Sequence, residues 1–178
     1  MFKKIITIIA AIVFVAFIYP TTTAFAIPEI GDTIAKVEFA LDDSTSTKNA
    51  ALALSFANGI ILRPGQIFSF NETVGPRTLE KGFVRGHYPP PNGPILQVVG
   101  SGICIASTGI YYLMVKEASL EMIERYSHSV PVGYVPPGYD AAVDGLLDLK
   151  VRNNKSYSVQ MFVTIADKWF YGRLIRAR

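Results

Sequence analysis

The sequence predicts an α+β domain in which a buried central helix, carrying a cysteine at its N-terminus, packs on a mainly antiparallel sheet. Two observations carry this expectation. From Cys104 to Leu120 the chain is apolar nearly all round: Ile103, Ile105, Ile110, Leu113, Met114 and Val115 share no single stripe, as in a helix enclosed by other elements. The C-terminal part has strand-like alternation in VQMFVTIA, turn signals at Pro136-Pro137-Gly138 and Asn153-Asn154, and no helical period. One helix on such a sheet makes an α+β domain.

The elements follow in chain order. MFKKIITIIAAIVFVAFIYPTTTAFA has a basic start at Lys3 and Lys4, an apolar run from Ile5 to Ile18, a breaker at Pro20 and then Ala24-Phe25-Ala26. That is the order of a secretory signal peptide with an A-x-A cleavage site. The run is shorter than the roughly 20 residues a spanning helix needs. We therefore expect residues 1–26 to be a signal peptide and 27–178 a single exported domain, secreted or held at the cell envelope. It would touch the membrane only through that segment if cleavage fails. Without Lys3 and Lys4 the chain has 15 basic against 14 acidic residues. No basic run is interleaved with aromatics, so a nucleic-acid partner is not expected.

TIAKVEFAL reads as a strand joining the sheet. DDSTSTKNAALALSFANG reads as a helix, with Ser, Thr and Asp oxygens at its start, Ala51, Leu54 and Asn58 on one stripe, and Asn58-Gly59 as its left-handed exit. ILRPGQIFSFNETVG reads as extended segments broken at Pro64-Gly65. From Pro76 to Pro94 proline, glycine and charge dominate, which predicts an exposed loop. ILQVVG is a short strand closed by Gly100 and Gly102.

Cys104 is the only cysteine, so no internal disulfide is possible, and a lone thiol on an exported chain is either buried, paired with another molecule, or reactive. A cysteine in the first helical turn faces the positive end of the helix dipole and free N–H groups, which favour the thiolate. The preceding glycines let a substrate carbonyl approach the backbone. The same residue also suits inert core filling. A thiol nucleophile needs a proton acceptor. His128 lies at the start of an expected strand, and His87 in the proline-rich loop. Asp140, Asp144, a backbone carbonyl or Asn153 are the candidates to orient the imidazole. Arg125 and Arg152 suit either a substrate carboxylate or a structural ion pair. One cysteine and two histidines at these spacings form no metal-ligand pattern, so neither metal nor cofactor is expected.

Four blocks, RPGQIFSFNETVGPRTLEKGF, GSGICIAST with Tyr111 beyond it, ERYSHSVPVGYVPPGYDAAV and DLKVRNN, resemble in order and spacing the VanW-like domain of bacterial cell-envelope proteins, over about residues 47 to 169. Some members of that family resemble L,D-transpeptidases, which use a cysteine to cross-link peptidoglycan. The resemblance implies Cys104 as nucleophile, His128 as base, Gly100 and Gly102 as the turn, and Ser107 and Thr108 lining or bracing the helix start. It implies a conserved place, without an assigned role, for Asp140. Peptidoglycan stem peptides are the implied partners. His87 matches no family position. The chain departs from the usual pattern at Ser101 (glycine), Ile105 (glutamine), Gly109 (threonine), Ile110 (leucine), Tyr126 (histidine) and Tyr139 (arginine). Such polar losses also fit a non-catalytic envelope domain that recognises wall components through the proline-rich loop with Tyr88, Tyr111 and Tyr134. A thiol peptidase or amidase shares the nucleophile.

Overall fold

A computed structural model describes residues 32–41, 45–88 and 93–177. The expected signal peptide, the Asp42–Ser44 helix start and the prolines at 89–91 lie outside the described residues.

The architecture is α+β, with antiparallel sheets, three α-helices and a π-helical segment among the described residues. Strand β1 (Thr33–Ala40) buries Ala35, Val37 and Phe39 on alternate positions, the period that a half-covered sheet imposes. β8 (Val159–Ala166) does the same with Val159, Met161 and Val163. β9 (Trp169–Arg176) lies between them, and β2 (Ile61–Leu62) completes a four-stranded sheet in the order β1-β9-β8-β2. The β8–β9 connection is a two-residue turn in which Asp167 and Lys168 both have positive φ, 48° and 65°. That conformation matches the right-handed twist of paired strands. A second sheet has the order β3 (Ile67–Ser69), β7 (Lys150–Arg152), β6 (Glu121–Glu124).

Helix α1 (Thr45–Ala57) buries Asn49, Ala50, Ala53, Leu54 and Ala57. Its inward stripe is thus one residue out of phase with the sequence reading: Ala51 is half-buried and Asn58 exposed. Asn58 still matters, because its Oδ1 accepts from Val163 N–H at 3.0 Å and Gly59 N–H donates to Met161 at 2.7 Å. These bonds seat the end of α1 on β8. After β3 the chain enters a short helix, α2 (Phe70–Val74), which the sequence reading missed. Its signal was present in SFNE: Ser69 Oγ accepts from Glu72 N–H at 3.1 Å, the first half of a capping box.

The proline-rich stretch contains more order than expected. β4 (Arg85–Tyr88) pairs with β5 (Leu96–Val99) as a separate two-stranded hairpin. Helix α3 runs Cys104–Tyr111 and continues as a π-helical segment, Tyr112–Glu117. Residues Ile105–Tyr111 are buried. At Gly109 a Cβ would meet the Phe170 ring at 2.1 Å, and Phe170 in turn stacks on Phe39 with centroids 4.8 Å apart. Glycine at this position therefore makes room for an aromatic side chain of the sheet.

Candidate functional site

The cysteine turn is built from glycine backbone and anchored by side chains that bind main chain. Gly100 and Gly102 have φ of 83° and 88°, a region open to glycine at little cost. Asn49 donates from Nδ2 to the carbonyls of Val84 and Ser101, both at 2.9 Å, and accepts at Oδ1 from Val84 N–H. Ser101 Oγ donates to the His87 carbonyl. The residue that replaces the family glycine thus ties the hairpin to the turn. Ile103, Ile105 and Ala106 N–H groups close tight turns onto Gly100, Gly102 and Ile103 carbonyls. Among the described residues, the N–H groups of Gly102 and Cys104 have no acceptor. Two free amides two residues apart, the second belonging to the cysteine itself, have the spacing of the donors in a serine-protease oxyanion hole.

Cys104 is half-buried at the first position of α3. Its Sγ donates to the Val143 carbonyl at 3.4 Å and accepts from Val143 N–H at 3.5 Å. His128 is not on a strand, as expected, but in the irregular segment after β6, beyond a single bridge between Tyr126 and Ala142. Asp140 holds it there. Oδ2 of Asp140 accepts from His128 backbone N–H at 2.7 Å and lies 2.8 Å from Nδ1. With Nδ1 so engaged, Nε2 is the nitrogen left to face Cys104. The imidazole pKa is raised, first by its hydrogen bond with the Cys104 thiol, against the opposing effect of burial, and further by Asp140. For Asp140, burial alone would raise the carboxyl. The backbone N–H and imidazole of His128, with the charge of Arg125, outweigh burial and hold it below the ordinary carboxylate range.

Asp144 and Asn153 are otherwise occupied. Asp144 Oδ1 accepts from Leu146 and Leu147 N–H, and buried Asn153 binds the Leu62 and Tyr157 carbonyls. Of the orienting candidates, Asp140 alone reaches His128 among these three.

Arg125 does not face open solvent as a substrate clamp would. Its Nε donates to the Asp140 carbonyl at 2.6 Å, its Nη2 to Oδ1 at 2.9 Å, and its guanidinium covers the Tyr111 ring at 4.7 Å. Arg152 lies on β7 in a cross-strand pair with Glu121 at 3.0 Å. For both arginines the geometry is that of the structural ion pair. Ser107 and Thr108 are fully buried, a placement that suits the bracing role of the two the sequence offered. Ser107 Oγ donates to the Ala141 carbonyl at 2.6 Å, and Thr108 Oγ1 accepts from Ala141 N–H at 3.0 Å. The helix thereby fixes the residue next to Asp140. Tyr111 is buried and cannot serve as a recognition surface. Tyr134 packs on Phe39, and Tyr139 edge-on against Tyr112 with Lys116 above it. Ile105 is buried too, so the position lacking the family glutamine faces the core here.

A cleft of about 260 Å³ opens beside His128 and Asp140, walled by Ser127, Val130, Val132, Val135 and Pro137. The sequence reading missed two residues near this site. Asn49 carried a signal, a lone amide on the inward face of an alanine-rich helix. Arg77, which lies against Gly100, carried none, because its placement depends on a contact between distant segments. Among the described residues no group of three or more His, Cys, Asp or Glu side chains gathers to hold a metal, and no helix is long and apolar enough to cross a membrane.

Comparison with known proteins places the chain among its relatives. The chain is 32% identical over 137 residues to the uncharacterized protein YoaR of Bacillus subtilis, covering 71% of this chain and 45% of that protein. It is 30% identical over 132 residues to the vancomycin B-type resistance protein VanW of Enterococcus faecalis, covering 71% and 47%. The chain thus spans less than half the length of these curated relatives. No solved structure matches it at a significant level. The model of the VanW like protein family matches residues 45–175, a span that includes α1, the cysteine turn, His128 and Asp140, and the chain belongs to that family.

Proposed function

We propose that the protein is exported to the cell envelope, where Cys104 carries out acyl transfer on peptidoglycan stem peptides in the manner of an L,D-transpeptidase. The observation that carries this reading is the chain of contacts from Cys104 through His128 to Asp140, with a cleft at its His128–Asp140 end. It is the nucleophile, base and orienting-group pattern of covalent catalysis. The name of the Enterococcus relative, a vancomycin resistance protein, supports a wall-related role.

In this mechanism the Cys104 sulfur attacks the carbonyl carbon of the residue preceding a terminal D-amino acid. The oxygen takes the negative charge and is met by the N–H groups of Gly102 and Cys104. His128 takes the thiol proton as the sulfur attacks and gives it from Nε2 to the departing amine as the C–N bond breaks, leaving a thioester. An amine of a second stem then attacks the thioester. His128 removes that amine's proton and passes it to the sulfur as the C–S bond breaks, and the thiol is restored. Water in place of the amine would make the same site a hydrolase.

The test is incubation of the purified protein with stem tetrapeptides. We expect release of the terminal D-amino acid and a thioester mass adduct on Cys104, both lost in Cys104→Ala. Turnover that survives Cys104→Ala would end the nucleophile assignment. Binding to sacculi with neither adduct nor turnover would instead favour a non-catalytic recognition domain.

A further inference from the structure

A second cation is built into the surroundings of the cysteine turn. The Cβ and Cγ of Arg77 press so closely on Gly100 that a Cβ added to that glycine would meet them at 2.9 and 3.1 Å. Its Nη1 donates to the Asp144 carbonyl at 3.3 Å, one residue from Val143, whose N–H and carbonyl both contact Cys104 Sγ. Nη2 donates to Asn71 Oδ1, and the guanidinium lies over the Phe70 ring at 5.8 Å. Arg77 therefore touches both backbone segments that enclose the sulfur.

This guanidinium has no ordinary counter-ion. Among the described residues no carboxylate oxygen lies within ion-pair distance of it, and its Nε is buried without a hydrogen-bond partner. The acidic neighbours already have other donors. Asp144 Oδ1 accepts from two backbone N–H groups, and Asp148 accepts from Ser69, Asn71 and Leu149. His128 faces the thiol from the segment after β6, backed by Asp140 and, behind that carboxylate, Arg125. A partly buried positive charge without a counter-ion is costly. Burial lowers the Arg77 pKa, while negative charge on Cys104, ahead of Asp148 and Asp144, acts to raise it.

We infer that Arg77 is a charge-positioning residue for Cys104: it pins the glycine turn to the 143–144 segment and supplies a permanent positive field that favours negative charge on the sulfur. The inference rests on the nucleophile reading and deepens it. His128 must surrender its proton to the departing amine, so its charge disappears within each cycle. An arginine does not deprotonate in a protein. The two cations thus divide the work, with the mobile proton on His128 and the constant charge on Arg77.

The experiment is alkylation of Cys104 by iodoacetamide in the full chain, wild type against Arg77→Met and Arg77→Lys. It is run at about pH 7 and at about pH 10, where a free thiol is ionised without help. We expect Arg77→Met to slow alkylation about tenfold near neutrality, the effect of removing one close opposite charge. At high pH it should match wild type, which separates ionisation from access. Arg77→Lys should recover most of the neutral-pH rate. Equal neutral-pH rates for wild type and a folded Arg77→Met overturn this inference alone. A wild-type thiol no more reactive near neutrality than a small free thiol overturns the nucleophile reading with it. Should Arg77→Met fail to fold, Arg77→Lys decides: a retained rate supports the charge, and a tenfold loss in a folded protein refutes it.

Discussion

Asp140 and Asp148 are two aspartates of nearly equal burial, 7% and 6% exposed, with nearly opposite surroundings. Asp148 accepts from the Ser69 hydroxyl and from the N–H groups of Asn71 and Leu149, all neutral donors, and Lys150 approaches only to 4.0 Å. It fixes the join between β3 and α2. Asp140 accepts from His128 twice and from Arg125, and it borders the cleft. Burial and hydrogen-bond satisfaction therefore do not distinguish the carboxylate of the proposed site from a structural one. The distinction lies in whether a partner can change its protonation state next to open space.

Replacing each carboxylate by its amide tests that contrast. Asp140→Asn should cost the most, about 10³- to 10⁴-fold in the rate of Cys104 acylation, because an amide presents the imidazole with the wrong tautomer. Fold should be retained, as judged by circular dichroism. A loss below tenfold would remove Asp140 from the proposed machinery. Asp148→Asn should do the reverse. It should lower unfolding stability by about 1–3 kcal/mol through unmade bonds at buried donors, measured by urea denaturation, and leave Cys104 alkylation within about twofold of wild type. A large loss of alkylation in that variant would erase the difference between the two sites.

The smallest expected effect is on stability against pH. The His128 pKa is raised from an ordinary 6.5, so its contribution is full below that value and is lost as pH rises through the raised one. The Asp140 pKa is lowered from an ordinary 3.8, so its contribution is present above that value and is lost as pH falls through the lowered one. The melting-temperature gap between wild type and Asp140→Asn should accordingly be widest from about pH 4 to about pH 6.5. A gap that does not change with pH would mean that the pair adds packing and no charge.

Elements with a clear local period were legible in the sequence. β8 spans the VQMFVTIA segment that its alternation marked, and the lead-in strand and alanine-rich helix appear as β1 and α1. The short strands were harder. β4 sits beside a proline run whose composition argued for a loop, and β6 reads EMIE, with two glutamates and no clean alternation. Both exist because a partner strand completes their hydrogen bonds, which is a tertiary cause. His128 gave a similar lesson. Its residue type suggested the chemistry, but its loop conformation depends on an aspartate twelve positions away. Arg77 could not be read at all, since nothing in VGPRTL announces contact with Gly100.

Asn49 reaches the hairpin and the cysteine turn only through backbone atoms, the N–H and carbonyl of Val84 and the carbonyl of Ser101. A tether of that kind is blind to side-chain identity. The turn that holds Cys104 would therefore keep its shape while the side chains along the two strands of the hairpin change.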